Sequence, residues 1–418
     1  LITVLFRPPG KKGGWSMTHR WNSFLSFVAI LILVGSILGP KLSRSSEAIV
    51  IGIPHSEAYS YATMMKNSFN MALESINKDG GIKGMPLKLV SADDGGQPKE
   101  GEKAIRQLVN ESGAVMLVGA YQSSNTIYMA NTANKLDRPF LICTAADDRV
   151  TQRKWRNVYR LNVPASEYAN VLEDFLLKKI KPKSMAIVYE NSPFGTGGAL
   201  RMMWFCRENN IDIIGIEPYH KERLKADYFQ RIIAPLVKAP PDVIYMVSYL
   251  NDGALLVNQI REAKINALLC GGAGGFTHQK FIDKAGPSAD NLLTATLWTP
   301  QLRYAGTEEY YNQYIDMYGT PPDYHGAEAF SALLVAADAL RRAESLNPES
   351  IRAALDATDI VTPFGPVKFT SYGKYERQNS LPTQVLQIIN GKFECIWPEE
   401  HASSNFVAPP DWKVPPTE

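Results

Sequence analysis

The stretch INKDGGIKGMPLKLVSADDGGQP, residues 76–98, decides how the chain is read, because its hydrophobic period changes within it. It opens on the end of a helical pattern in which Met65, Phe69, Leu73 and Ile76 recur at three- and four-residue spacing. Gly80-Gly81 stops that helix, since glycine readily takes the left-handed backbone of a helix end. PLKLVSAD follows as a strand, and Pro98 suits the first turn of the next helix, PKEGEKAIRQLVN. With AIVIGIP upstream as an apolar strand, the segment reads strand, helix, strand, helix.

The alternation continues outward. AVMLVG, SNTIYMANTANKL and PFLIC complete a first run of units. A second run starts after RLNVPAS, with helices at EYANVLEDFLLKK, FGTGGALRMMWFCREN, DYFQRIIAPLVK and DGALLVNQIREA. Between them stand the strands SMAIVYE, DIIGIEPY, DVIYMVS and ALLCGG. Strands alternating with helices of about 10–15 residues predict parallel sheets covered on both faces, hence an α/β fold of two doubly wound lobes. Near residue 294 the pattern changes. TATLWTP is followed by helices around EEYYNQYIDMYG, HGAEAFSALLVAADALRRAES and NPESIRAALDAT, then by the short strands PVKFT, TQVLQII and KFECIW. The late helices must cover an earlier sheet, so the chain crosses between lobes more than once and leaves a cleft suited to a ligand.

Composition narrows the function classes. The 418 residues are 45% hydrophobic and 21% charged, with a formal net charge of +2. Six of the 44 basic residues and none of the 42 acidic ones lie in residues 1–46, so the remaining body is mildly acidic. That balance supplies no electrostatic footprint for nucleic acid. The N-terminus has the form of an export signal: a cationic start at Met17-Thr18-His19-Arg20, the apolar core FLSFVAILILVGSILG over residues 24–39, and the polar exit GPKLSRSSEA. Residues 1–16 begin with Leu1, and Met17 is expected as the true start. The leader is expected to occupy residues 17–47 as a signal peptide, with an uncleaved anchor as the alternative. Cys143, Cys206, Cys270 and Cys395 form no C-x-x-C pair; Cys143 and Cys270 read as small buried residues at strand ends.

No catalytic constellation emerges. G-x-S-x-G, H-E-x-x-H and the P-loop are absent, and the six histidines show no close pairing. GGAGGF, residues 271–276, lacks the spacing of a dinucleotide loop, and the isolated pair Asp93-Asp94 reads as a loop-ordering feature rather than a metal site. No metal, cofactor or enzymatic activity is expected. The informative corner is GAYQSSNT, residues 119–126. Ser123 or Ser124 at a helix start presents a hydroxyl beside free backbone N–H groups, suited to a carboxylate. The competing reading is an ordinary helix cap. ICTAADD, residues 142–148, ends the next strand with a similar small-then-polar run, and two such exits suggest a shared pocket.

At this point the chain resembles the type I periplasmic binding proteins of ABC importers, in the branched-chain amino acid and amide subfamily. The segment 76–98 is similar to that family's I-N-x-x-G-G-I-x-G piece, and LVGAYQSSNT, RPFLICTAADD, YRLNVPAS, SMAIVYENSPFGTGG and PPDVIYMVSY follow in the family's order. The resemblance implies two Rossmann-like lobes joined by three crossovers. Lobe 1 would comprise residues 48–163 with about 297–365, lobe 2 residues 164–296 with about 366–400, and 401–418 a C-terminal tail. It implies an extracytoplasmic monomer that captures an amino acid, amide or carboxylate and delivers it to inner-membrane permease subunits; a ligand-sensing receptor on the same fold is the alternative. By resemblance, Tyr61, Tyr121, Gln122, Ser123, Ser124, Ala145, Ala146, Asp147, Phe194, Tyr249, Gly272 and Trp298 surround the ligand, with Ser123 on its carboxylate. Two departures stand out. The turn at GGAGG lacks the acid that pairs the α-ammonium in leucine-binding relatives, and Asp147 replaces a threonine, so either Asp147 takes over that ammonium or the ligand is not an α-amino acid; a buried Asp147 carboxylate is in any case expected to have a cationic or hydrogen-bonding partner. Gly96 and Gln122 occupy the two positions of the family's disulfide, which is therefore absent.

Overall fold

The first strand, β1 (Ile49–His55), is buried along nearly its whole length, as a strand covered on both faces must be. In the computed structural model, which describes residues 48–225, 227–410 and 412, it pairs in parallel with β2 (Leu87–Asp93) and β3 (Met116–Gly119). β4 (Phe140–Ile142) and β5 (Val158–Arg160) extend this first sheet. The second sheet is built on β6 (Ser184–Glu190), β7 (Asp212–Tyr219), β8 (Val243–Val247), β9 (Leu268–Gly271) and β10 (Leu293–Thr296). β8 is buried at every position, whereas the edge strand β7 alternates between exposed and half-buried residues. After a small hairpin of β11 (Asp359–Thr362) and β12 (Gly365–Lys368), the chain adds β13 (Thr370–Tyr372) and β14 (Tyr375–Gln378), then β15 (Gln384–Ile389) and β16 (Lys392–Trp397). The two seven-stranded sheets run β13-β14-β5-β4-β3-β1-β2 and β16-β15-β10-β9-β8-β6-β7. The leader expected over residues 1–47 lies outside the described residues.

Six helices position the cleft: α1 (Ala62–Lys78), α2 (Pro98–Asn110), α3 (Ser123–Lys135), α4 (Pro193–Glu208), α5 (Leu250–Glu262) and α6 (Tyr324–Arg342). α1 buries Met64, Met65, Phe69, Met71 and Ile76. The turn after it needs glycine, because Gly81 sits at φ +70° and an added Cβ would lie 2.1 Å from the Met85 carbonyl oxygen. Arg341 of α6 donates to the Gly81 carbonyl at 3.1 Å, which ties this turn to the long helix. α6 and the preceding helix Thr307–Tyr318 pack on α1, where Ser68 meets the Tyr310 hydroxyl at 2.9 Å. The late helices therefore cover the first sheet.

The chain passes between sheets three times: after β5, after β10 and between β14 and β15. The last pass departs from the sequence reading, which assigned about 366–400 to the second lobe. β13 and β14 belong to the first sheet, because Gln378 pairs with Arg160 in parallel and its side chain also bonds the Arg160 guanidinium at 2.6 Å. The return to the second sheet comes only at Gln384. The tail is tethered to that lobe: Val407 exchanges two hydrogen bonds with the Gln387 amide, and buried Trp412 donates to the Asp242 carbonyl at 3.2 Å. All four cysteines are free and buried, and burial pushes the Cys143 and Cys206 thiols up to about 12. Among the described residues, no helix is long and apolar enough to cross a membrane, and no His, Cys, Asp and Glu cluster could hold a metal.

Candidate functional site

In parallel α/β sheets the loops at the carboxyl ends of the strands are free to hold ligands. Here such loops from both sheets converge. The exits of β3 and β4 bring Tyr121, Ser123, Thr144 and Ala146 to one cavity, and the exits of β6, β8 and β9 bring Phe194, Tyr249 and Gly274. Tyr168, Tyr324 and His325 complete its lining, and its volume is about 20 Å³.

Ser123 is the first residue of α3 and is 2% exposed. The Ser123 hydroxyl does not cap α3; it accepts from the Ala146 N–H at 3.1 Å and so ties the exits of β3 and β4 together. Its setting at the positive end of a helix favours a negative group.

The walls are aromatic. Tyr121 lies 5.7 Å from Tyr61 and 6.2 Å from Tyr249, ring centre to ring centre. Phe194 packs on Tyr249 at 5.4 Å and on Tyr168 at 6.0 Å. Tyr61 stacks on His325 at 3.7 Å, and Tyr324 stacks on His325 at 3.9 Å. Three hydrogen bonds close the lobes at this point. Tyr61 donates to the Gly274 carbonyl at 2.7 Å, the Gly274 N–H donates to the Tyr324 hydroxyl at 3.2 Å, and Thr277 donates to Asp323 at 2.9 Å. Burial pushes the Asp323 carboxyl up, but the charge and hydrogen bond of His325 outweigh it and hold the carboxyl below its usual range.

A second cavity of about 270 Å³ lies at the mouth of the cleft, sharing Tyr121 and Tyr249 with the first. Lys221 stands there with its ammonium 4.2 Å from the centre of the Tyr249 ring, a cation–π contact. The Gln122 amide fits between the Gly96 carbonyl, 3.2 Å from its nitrogen, and the Lys221 ammonium, 2.9 Å from its oxygen. Gln122 is thus at the mouth rather than inside.

Several residues expected around the ligand lie elsewhere. Ala145 is fully buried and packs in the core behind β3 and β4, with its N–H on the Ala120 carbonyl at 3.1 Å. The Asp147 side chain is held by Arg149 through contacts of 2.7–3.2 Å and does not line the inner cavity. The partner anticipated for it is therefore this arginine, two residues on. Ser124 is half-buried on α3 and is not in the lining. Gly272 packs against Tyr245, whose hydroxyl would be 2.4 Å from an added Cβ, and Gly274 makes the cleft contact instead. Trp298 is buried in the segment between lobes, donating to the Pro363 carbonyl at 2.8 Å, and lines a separate cavity. Sequence reasoning did not single out Thr144, Tyr168, Gly274, Tyr324, His325 or Lys221. Thr144, Tyr168, Gly274 and His325 sat inside quoted segments, but the helix that carries Tyr324 and His325 has a destination set by tertiary packing.

A sequence model of periplasmic binding proteins matches residues 53–392. The chain belongs to the periplasmic binding protein family. This binding protein is 25% identical over 362 residues to Leu/Ile/Val-binding protein homolog 7 of Brucella melitensis, covering 81% of this chain and 88% of that one. Its fold matches the branched-chain amino acid transporter substrate-binding protein of Streptococcus pneumoniae in complex with isoleucine, with a TM-score of 0.76, 22% identity, and coverage of 83% and 98% of the two chains. An R. palustris solute-binding protein of an ABC transporter, in complex with benzoate, matches with a TM-score of 0.74 and 16% identity over 88% of this chain and 99% of that one.

Proposed function

We propose that this binding protein captures a small amino acid, amide or carboxylic acid between its lobes, outside the cytoplasm, and delivers it to the permease subunits of an ABC importer. The observation that carries the reading is the pairing of Ser123 with the Ala146 N–H at the joint exits of two parallel strands, under aromatic walls from both lobes. A ligand carboxylate would take the Ala146 N–H and the Ser123 hydroxyl together at the positive end of α3. The rings of Tyr121, Phe194 and Tyr249 would cover the remainder of the solute. The lobes would open to admit the solute and close by the same three interlobe hydrogen bonds, a population shift driven by differential binding.

The family relationship supports a binding rather than a catalytic role. A thermal-shift screen of the mature protein against amino acids, aliphatic and aromatic carboxylates, amides and ureas tests the proposal. Bound ligand stabilises by RT ln(1 + [L]/Kd), so a hit at 100 times its Kd adds about 2.7 kcal/mol. Failure of every class to raise the melting temperature would overturn the assignment of solute class.

A further inference from the structure

The inner cavity is lined by the starts of four helices. Ser123 opens α3, Phe194 is the second residue of α4, Tyr249 stands just before α5, and Tyr324 and His325 open α6. Each helix start brings unpaired N–H groups and a partial positive charge to the same small space. On α3 and α4 no side chain caps these groups, whereas Asp252 accepts from the Tyr249 N–H at 3.2 Å and Asp323 from the His325 N–H at 3.0 Å. The field therefore suits an anion. Among the described residues of the lining there is neither lysine nor arginine, so a carboxylate buried there has one side chain able to serve as its counter-ion, His325.

His325 is 2% exposed, and its contacts leave one edge of the ring free. Tyr61 and Tyr324 stack on it at 3.7 and 3.9 Å, with ring planes 24° and 27° from its own, so both faces are covered. Nδ1 lies 3.1 Å from each Asp323 carboxyl oxygen. The remaining edge carries Nε2, which bonds no described residue. With its faces and Nδ1 occupied, that edge is what His325 presents to the cavity it lines. The Thr277 hydroxyl of the second lobe donates to the same Asp323 at 2.9 Å. An ionised carboxylate on Nδ1 keeps that nitrogen protonated, and a second carboxylate at Nε2 would complete an imidazolium that donates from both nitrogens. A cavity of about 20 Å³ admits one small group, so Ser123, Ala146 and the His325 edge all bear on that same group.

We propose that His325 is the specificity-determining residue for the acid group of the solute: one carboxylate oxygen lies at Ser123 and Ala146, and the other accepts from Nε2 of a His325 imidazolium whose Nδ1 is held by Asp323. The inference rests on the carboxylate reading above and adds the group that separates an acid from its uncharged amide. It also makes lobe closure part of recognition, because Thr277 reaches Asp323 from the second lobe.

The test uses matched pairs: leucine with leucinamide, 4-methylpentanoate with 4-methylpentanamide, and benzoate with benzamide. Each is titrated calorimetrically into wild type, into His325→Phe, which keeps a ring between the two tyrosines, and into His325→Gln, which keeps an uncharged donor. Melting temperatures are recorded for all three proteins. The wild type should bind at least one acid about tenfold or more tighter than its amide. His325→Phe should lower that preference by about tenfold or more, chiefly by weakening the acid, and His325→Gln should fall between. In wild type labelled with ¹⁵N-histidine, saturation with the preferred acid should shift the Nε2 signal of one imidazole, a readout that stands even if neither variant folds. A preference kept in full by His325→Phe, or imidazole signals unmoved by saturating acid, overturns the role of His325 and leaves the site at Ser123 and Ala146 standing. Equal wild-type affinity for acid and amide in every pair likewise overturns the charged clamp. Binding of none of the six compounds overturns the carboxylate reading with it.

Discussion

The Tyr61 hydroxyl on the first lobe donates to the Gly274 carbonyl on the second at 2.7 Å, and the Gly274 N–H donates back to Tyr324 at 3.2 Å. One residue of the second lobe is thus gripped from both sides by tyrosines of the first, and both tyrosines stack on His325 between them. This contact exists only when the lobes are shut, so its strength enters ligand affinity through the closing equilibrium.

Tyr61→Phe removes the hydroxyl and keeps the ring on His325. The closed state should lose about 0.5–1.5 kcal/mol, a roughly two- to thirteenfold weaker Kd by calorimetry. The melting temperature without ligand and the Kd of a ligand-matched wild type provide the comparison. An unchanged Kd would show that the latch carries no closing energy.

Ser123→Ala leaves the Ala146 N–H without its acceptor at a position where Ser123 is 2% exposed. The expected loss is about 1 kcal/mol of stability, since the serine bridges two strand exits, with a larger fall in affinity for carboxylate solutes. Denaturant unfolding and calorimetry separate the two effects. Stability lost with affinity intact would reduce Ser123 to a structural tie.

Gly274→Ala should be among the most damaging single-atom changes in the cleft. Gly274 sits at φ +58°, and an added Cβ would lie 2.6 Å from the Phe194 ring and 3.2 Å from the Ser248 carbonyl. Left-handed backbone alone costs an alanine about 1–2 kcal/mol, and displacement of Phe194 would disrupt the aromatic wall. Solute affinity should fall by at least tenfold. Retention of full affinity would mean that the turn shifts without cost.

Glu190, at the exit of β6, makes stability depend on pH. Burial pushes its carboxyl up to about 7 against an ordinary 4.5, with Ser192 and Lys221 opposing. The folded protein therefore holds this proton between those values while the unfolded chain releases it, and stability falls as pH rises across that window, by at most about 1.4 kcal/mol per unit, then levels off. Glu190→Gln should remove this component, so its stability relative to wild type should be greater at pH 7.5 than at pH 5 in denaturant titrations. A difference independent of pH would contradict the assignment.

The lobes and their order were legible from residues 48 to 296, where apolar strands and amphipathic helices alternate with glycine and proline marking the ends. Pro98 starts α2 and Gly81 makes the turn before β2, both for local steric reasons. The strand Val158–Arg160 was not visible, because three buried residues carry no period. Nor was the placement of β13 and β14, which depends on Gln378 meeting Arg160 from more than two hundred positions away.

The site divides along the same line. Local chemistry was enough to mark GAYQSSNT as a strand-to-helix corner with a serine at its start, because small polar residues there read the same in any context. Which neighbours that corner meets was decided by the crossings between lobes. They turn Asp147 aside to Arg149, bury Trp298 between lobes, and bring Tyr324 and His325 of a helix near the chain's end against strand exits near its beginning. Backbone preference acts over a few residues, whereas the polarity of a closed cleft is the sum of side chains delivered by distant segments, so the neighbours of Ser123 had to come from the tertiary structure.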